Sequence, residues 1–219
     1  MYMMCPKLFQ PFFFKNAFHF GLNSFPTIFL FMRLIALTGP ICSGKSTVLR
    51  LLKQQGIPAI DCDAIVRQLY KRKAVQKKLL REFGTFNKNK ISALVFSSPG
   101  KRKKLEGILH PLVWKEIEKG IKKFRKKNEN FVIVDVPLLF EAKWQNRFDA
   151  VIVVKTSKRQ CMQRAIKKGM NKKEFLLRYA AQIPIGKKIK RAHYLIDNSG
   201  SLRATRKQAR QLIKGLIPN

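Results

Sequence analysis

The stretch RLIALTGPICSGKSTVLRLLKQQ, residues 33–55, does most to limit the folds open to this chain. Residues 33–38 are an apolar run of the kind found in a parallel strand covered on both faces. The glycine-bounded loop that follows has the spacing G-x-x-x-x-G-K-[ST], with Gly39, Gly44, Lys45 and Ser46 at the fixed positions. Val48, Leu49, Leu51 and Leu52 then recur at helical spacing, and Gly56 stands where a helix end favours glycine. A strand, a tight loop and a helix in this order aim backbone N–H groups and the positive end of the helix at one point, which is a binding site for phosphates. The flanking elements separate the motif from a chance match, whose alternative reading is a glycine turn with a capping serine. Gly39, Pro40, Ile41, Cys42, Ser43, Gly44, Lys45, Ser46 and Thr47 are therefore expected to surround nucleotide phosphates. Lys45 would reach the β- and γ-phosphates, and the Ser46 hydroxyl would face Mg2+.

Beyond the loop the chain alternates. IPAID (57–61) reads as a second strand, and 64–81 as a helix carrying Ile65, Leu69, Leu79 and Leu80. FGTFNKNK looks looser. Residues 101–127 place Leu105, Ile108, Leu109, Leu112, Val113, Ile117, Ile121 and Phe124 on one stripe, and His110-Pro111 predicts a kink or two abutting helices. FVIVD (131–135), AVIVVK (150–155) and YLID (194–197) complete the strands. Ser157 is placed to cap a helix to Lys168. Asn171 with Glu174 resembles a capping box for a helix ending near Gln182, and 201–215 form a closing basic helix. The alternation implies one α/β domain with a parallel sheet.

In such a sheet, ligands bind beyond the C-terminal ends of the strands. Asp61 and Asp63 follow the second strand there, and Asp135 ends the third. An acid at a strand end is often only a helix cap. Two acids one residue apart carry more weight in a chain with 46 Lys and Arg against 12 Asp and Glu. Phosphorylation of a hydroxyl requires a carboxylate within reach of it, and another near the metal. Asp63 suits the first role. Asp135, like a Walker-B acid, suits the second, directly on Mg2+ or through water.

The net charge of +34 admits two readings: a polyanionic partner, or lysines scattered over solvated helices. Cys5, Cys42, Cys62 and Cys161 form no C-x-x-C pair and read as reduced thiols of a cytoplasmic protein. Residues 1–31 differ from the rest, holding nine of the 17 Phe, no acid and three interrupting prolines. Met32 directly precedes the first strand and is expected to be the natural start, with 1–31 an extension of doubtful origin; an organelle-targeting or a membrane-binding segment is the alternative. No apolar run approaches the ~20 residues that span a bilayer.

Taken in order, several segments resemble the dephospho-CoA kinase family from Met32 nearly to the C-terminus. LTGPICSGKST is similar to its phosphate loop, GIPAIDCDAIVRQL to its D-x-D segment, and VFSSPGKRKKLEGILHPLVW to its V-F…L-E…H-P-x-V stretch. VIVDVPLLFE resembles D-x-P-L-L-F-E, while RYAAQ and YLIDNSGS resemble the lid helix and closing strand. The resemblance implies an α/β, three-layer fold of the P-loop NTPase type with a five-stranded parallel sheet, a helical CoA subdomain and a lid. It places the core at 32–63, 130–156 and 190–219, the CoA-binding helices at about 64–129 and the lid at about 157–189. It also implies the reaction, in which ATP phosphorylates the ribose 3′-hydroxyl of dephospho-CoA to give coenzyme A and ADP. Lys45, Asp63, Arg164 and Lys168 would be catalytic. Asp61, Arg67, His110, Pro137, Leu138, Phe140, Arg178 and Gln182 would bind substrate or close over it, with Leu139 lining the same junction.

The chain departs from the family pattern in places. Pro40 and Cys42 stand where glycine is usual, so their side chains must turn away from the phosphates. Cys62 replaces a small residue between the aspartates. Lys88 and Lys168 stand where arginine is usual, keeping the charge but losing the planar fork. Two rivals share some of these features. Another small P-loop kinase acting on a nucleoside or nucleotide would have the loop and Asp63 without the D-V-P-L-L-F-E and H-P-x-V segments. A basic nucleic-acid-binding protein would have the charge and a vestigial loop. The partners expected are ATP, dephospho-CoA and, non-specifically, polyanions; the sequence does not specify an oligomeric state.

Overall fold

The computed structural model describes residues 32–216, apart from the side chains of Phe96 and Ser97. The reading of 1–31 and of the start at Met32 lies outside the described residues. Five parallel strands, β1 (Arg33–Thr38), β2 (Ala59–Asp61), β3 (Phe131–Asp135), β4 (Ala150–Lys155) and β5 (Tyr194–Asp197), form one sheet in the order β2-β3-β1-β4-β5. Leu37 pairs with Asp135, and Asp61 with Asp135, so the phosphate loop and both strand-end acids emerge along one edge.

Each strand alternates between two cores, as the two-residue side-chain period requires. Ile35 and Leu37 of β1, Ile133 of β3 and Ile152 and Val154 of β4 face α1 (Lys45–Lys53) and the closing helix α9 (Leu202–Leu216), meeting Val48, Leu52, Ala209 and Leu212. Ala36, Val132, Val134, Val151 and Val153 face the other way. They meet Leu69 of α2 (Cys62–Leu69) and Val113, Ile117 and Ile121 of α5 (Pro99–Arg125). The sheet thus lies between helices on both faces. A smaller core of Val75, Leu79, Ile91, Val95 and Leu109 joins α3 (Lys73–Phe83) and α4 (Lys88–Ser97) to α5.

Three expectations are corrected. The helix read over 64–81 is two, because Tyr70–Arg72 turn the chain. Gln76 Nε2 donates to the Tyr70 carbonyl at 2.9 Å, and Arg72 is bound by Glu116 of α5 at 3.0 Å. The loose stretch after Gly84 already contains the start of α4, capped by Asn87, whose side chain accepts from the N–H groups of Asn89 and Lys90. Of the two outcomes expected at His110-Pro111, two abutting helices do not form. α5 runs unbroken through Pro111, since buried residues of one stripe, Leu109, Val113, Ile117 and Ile121, hold the helix on both sides of the missing N–H. The caps at Ser157 and Asn171 form as expected, with Ser157 Oγ accepting from Gln160 N and Asn171 Oδ1 from Glu174 N. They begin α6 (Lys158–Lys167) and α7 (Lys172–Ala180). A short α8 (Ile185–Ile189) was not foreseen.

Gly120 of α5 faces Ile60 of β2. A Cβ there would sit 2.7 Å from Ile60 Cδ1 and 3.3 Å from its Cγ1. Gly120→Ala therefore forces the end of the buried Ile60 side chain to shift. The expected loss is about 1–2 kcal/mol, seen in a thermal melt as a Tm drop of about 2–4 °C per kcal/mol.

Candidate active site

The phosphate loop is braced from behind. Gly44 has φ 92°, a conformation suited to glycine, and a Cβ on it would collide with Asn198 Nδ2. The Ser43 carbonyl accepts from Asn198 Nδ2 at 2.8 Å and from Arg164 Nη1 at 3.0 Å, while Arg164 Nη2 donates to the Asn198 carbonyl at 2.8 Å. One guanidinium thus ties α6, the loop and the segment after β5 together. Pro40 is buried, away from the cavity wall. Cys42 holds φ 59°, a left-handed conformation costing a non-glycine residue about 1–2 kcal/mol. It packs against Cys161, Ala165 and Phe175 of α6 and α7, which offsets the strain.

In front of the loop lies a cavity of about 670 Å³. Lys45, Asp63 and Asp135 share its wall with Ile41, Cys42, Gly44, Ser46, Thr47, Pro137, Leu138, Arg164, Lys168, Arg178 and Gln182. Lys45 Nζ donates to the Gly39 carbonyl at 3.2 Å. Desolvation pulls its pKa down from the ordinary lysine value, and the Asp135 and Asp63 carboxylates act in the opposite sense. Asp135 is buried, and its Oδ1 has no hydrogen-bond partner among the described residues. Burial first, then the neighbouring Asp63 and Asp61 charges, push its pKa up to about 6, against the pull of Lys45. Asp63 is exposed at the start of α2. Lys168 ends α6 and is exposed, whereas Arg178 is ion-paired to Glu174 at 2.6 Å. Gln182 Oε1 accepts from Ile41 N at 2.8 Å, joining the second residue after α7 to the loop.

Four residues expected at the substrate lie outside this wall. Asp61 caps α2, accepting from Ala64 N at 2.9 Å, and pairs with Arg67 at 3.7 Å. His110 meets Trp144 edge-on with ring centroids 5.1 Å apart, and burial pulls its pKa down. Phe140 is core, with the Arg191 guanidinium 5.9 Å from its ring centre. Conversely, Arg102, Glu106, Glu141, Asn198, Gly200 and Leu202 line the cavity without having been singled out as site residues. Arg102 and Glu106 are one helical turn apart on α5, a spacing hidden among many lysines. Glu141 and Asn198 sit inside segments already notable in the sequence.

The raised Asp135 pKa has a stability consequence. An acid whose pKa is higher in the folded than in the unfolded chain favours folding while both states are protonated, below about pH 3.8. That advantage is lost as the pH rises through about 6. Asp135→Asn removes the charge, so the nucleotide-free variant should exceed the parent by about 1–2 kcal/mol at pH 7. Urea melts at several pH values should show this difference closing as the pH falls toward about 4.

The sequence model of the dephospho-CoA kinase family matches residues 33–204. A dephospho-CoA kinase of Symbiobacterium thermophilum is 39% identical over 190 residues, covering 81% of this chain and 78% of its own. One from Aquifex aeolicus is 36% identical over 194 residues, covering 84% of this chain and 98% of its own. A crystal structure from Thermus thermophilus superposes with a TM-score of 0.75 at 30% identity, covering 86% of this chain and 99% of that one. With the ordered motifs, the sheet order and the braced phosphate loop, these matches lead to one conclusion: the chain belongs to the dephospho-CoA kinase family.

Proposed function

We propose that this chain transfers the γ-phosphoryl group of ATP to the ribose 3′-hydroxyl of dephospho-CoA, giving coenzyme A and ADP. The observation that carries the reading is the convergence of Lys45, Asp63 and Asp135 on one cavity at the C-terminal edge of the sheet. The hydroxyl oxygen attacks the γ-phosphorus in line, its proton passes to the Asp63 carboxylate, and the bond to the β-phosphate oxygen breaks. Lys45 neutralises charge on the β- and γ-phosphates. Arg164 supports the loop through its carbonyl contacts, and the exposed Lys168 at the end of α6 supplies positive charge to the transferring group. Positioning does most of the work, so no covalent enzyme intermediate is needed.

A magnesium ion fits the residues present. Asp135 offers a buried oxygen with no hydrogen-bond partner among the described residues, and Ser46, in the first turn of α1, lines the same cavity. Among the described residues no cluster of three or more His, Cys, Asp and Glu could cage a metal alone. That suits an ion held mostly by phosphates and water. Ser46 and, directly or through water, Asp135 would hold it, and when bound it would offset phosphate charge.

We assign α2–α5 to the acceptor side, with Asp63, Pro137, Leu138 and Arg178 nearest the substrate. The segment α6–α8 is the lid. Asp61, Arg67, His110 and Phe140 shape the site from behind. We place the protein in the cytoplasm, where its substrates would be met; among the described residues no helix is long and apolar enough to cross a membrane. The +34 charge supports non-specific contact with polyanions, which salt would weaken.

Purified protein with Mg-ATP and dephospho-CoA should produce CoA and ADP in equal amounts. AMP, GMP and uridine should be poor acceptors. Turnover of those and not of dephospho-CoA overturns the assignment, and retained nucleic acid with no kinase activity favours the binding-protein rival.

A further inference from the structure

Lysine is rarely buried without a reason, yet Lys188 of α8 is fully buried. Its Nζ lies 2.8 Å from Glu141 Oε1 and meets no acceptor in hydrogen-bonding alignment, so charge rather than direction holds it. The same Glu141 oxygen accepts from Ile183 N at 2.9 Å. The residue before, Gln182, accepts from Ile41 N in the phosphate loop at 2.8 Å. A continuous set of contacts therefore runs from Lys188 through Glu141 and the 182–183 backbone to the loop. Glu141 lines the cavity but Lys188 does not.

We propose that Lys188 is a positioning residue for the phosphate loop, acting through Glu141 and Gln182 to fix where the lid returns to the core. The ammonium, 2.8 Å from Glu141 Oε1, fixes where that oxygen sits, and the same oxygen is the acceptor that holds the Ile183 N–H. With Ile183 fixed, the Gln182 amide is held against Ile41. Ile41 adjoins Cys42, the loop residue in a left-handed conformation, so this arm needs an external hold to keep its shape. The positive charge of Lys188 also depresses the pKa of Lys45, as expected of two ammonium groups near one another. Placed at the lid root, the clasp couples nucleotide binding to lid position.

The inference rests on the kinase reading for its kinetic readout, and a second readout is independent of it. Lys188→Met should raise KM for ATP about tenfold, with a much smaller effect on KM for dephospho-CoA. In a Gln182→Ala background the same substitution should change KM for ATP less than about twofold, because the path is already cut. Hydrogen exchange of the Ile41 amide, in protein without substrates, should quicken in Lys188→Met. If Lys188→Met does not fold, the isosteric Glu141→Gln carries the same cycle and the same exchange measurement. Equal losses in both backgrounds, or unchanged Ile41 exchange in a folded variant, overturn the proposal. A parent protein that fails to make CoA overturns the kinase reading instead, leaving the Ile41 measurement to judge the clasp.

Discussion

Lys45→Ala should abolish turnover, with kcat falling by about 10³-fold or more. The charge at stake sits in a desolvated place, since burial is the largest influence on this ammonium, ahead of the two carboxylates nearby. A cation in such a place acts on phosphate charge with little screening by water, so its loss is not made good by solvent. The side chain already reaches back to the Gly39 carbonyl at 3.2 Å, which keeps it extended along the loop before nucleotide arrives. Lys45→Arg should not restore the rate, because a planar guanidinium cannot occupy the position of a compact ammonium. The fold should survive, because the brace on Ser43 is built from Arg164 and Asn198 and does not use Lys45. A melt with Tm close to the parent, together with an ADP-release assay at background, is the expected pair of results. Near-normal kcat in Lys45→Ala would remove the loop from the chemistry.

Much of this architecture was legible because strand and loop signals are local. The runs at 33–38, 131–135, 150–155 and 194–197 became β1, β3, β4 and β5 with the bounds expected. Each is bounded by residues that cannot continue it, or packed so densely with apolar side chains that no other state buries them. Ser157 and Asn171 likewise announce helices through their own side chains. Failures occurred where distant contacts decide. No glycine or proline marks the break between α2 and α3; Gln76 of the following helix and, from 44 positions away, Glu116 stabilise it. Pro111 gives a strong local signal, yet packing on both sides of it carries α5 through.

The site divides along the same line. Loop residues and strand-end acids follow from sheet geometry, so Lys45, Asp63 and Asp135 could be brought together before the structure was known. Arg67, His110 and Phe140 came only through resemblance; Asp61 was a strand-end acid like Asp63, but its side chain turns to cap α2 and pair with the exposed Arg67, while Phe140 goes to the core and His110 packs on Trp144. Arg164 carries a charge that sequence alone assigns to substrate or solvent; its partners are carbonyls at Ser43 and Asn198, residues 121 and 34 positions away. Glu141 and Lys188 could not be paired from sequence, because a lysine among many gives no sign of being the buried one.

Asp63→Asn should cost about 10²–10⁴ in kcat, the usual range for loss of a proton acceptor, while KM for ATP changes by less than about threefold. The split follows from the place of the carboxylate. Asp63 lies in the first turn of α2 on the cavity wall, and among the described residues it makes no hydrogen bond to the loop that would tie it to ATP affinity. An amide keeps the shape and can still hydrogen-bond the acceptor hydroxyl, but it cannot take up the proton. The ground-state complex should therefore form, and the step that follows should stall. Stability should hardly move: an exposed acid in the first turn of a helix contributes about 0.3–1 kcal/mol through the helix dipole, and the cap itself belongs to Asp61. Asp63→Glu is the sharper companion, since it keeps the charge and shifts its position by one methylene; misplacement of about 1 Å can cost 10²-fold. Steady-state kinetics with both substrates varied, alongside nucleotide titration, distinguish the outcomes. Matching small losses in kcat and ATP affinity for Asp63→Asn would mean that the carboxylate only shapes the wall, and the base would have to be sought among Glu106, Asp135 and Glu141, the other acids that line the cavity.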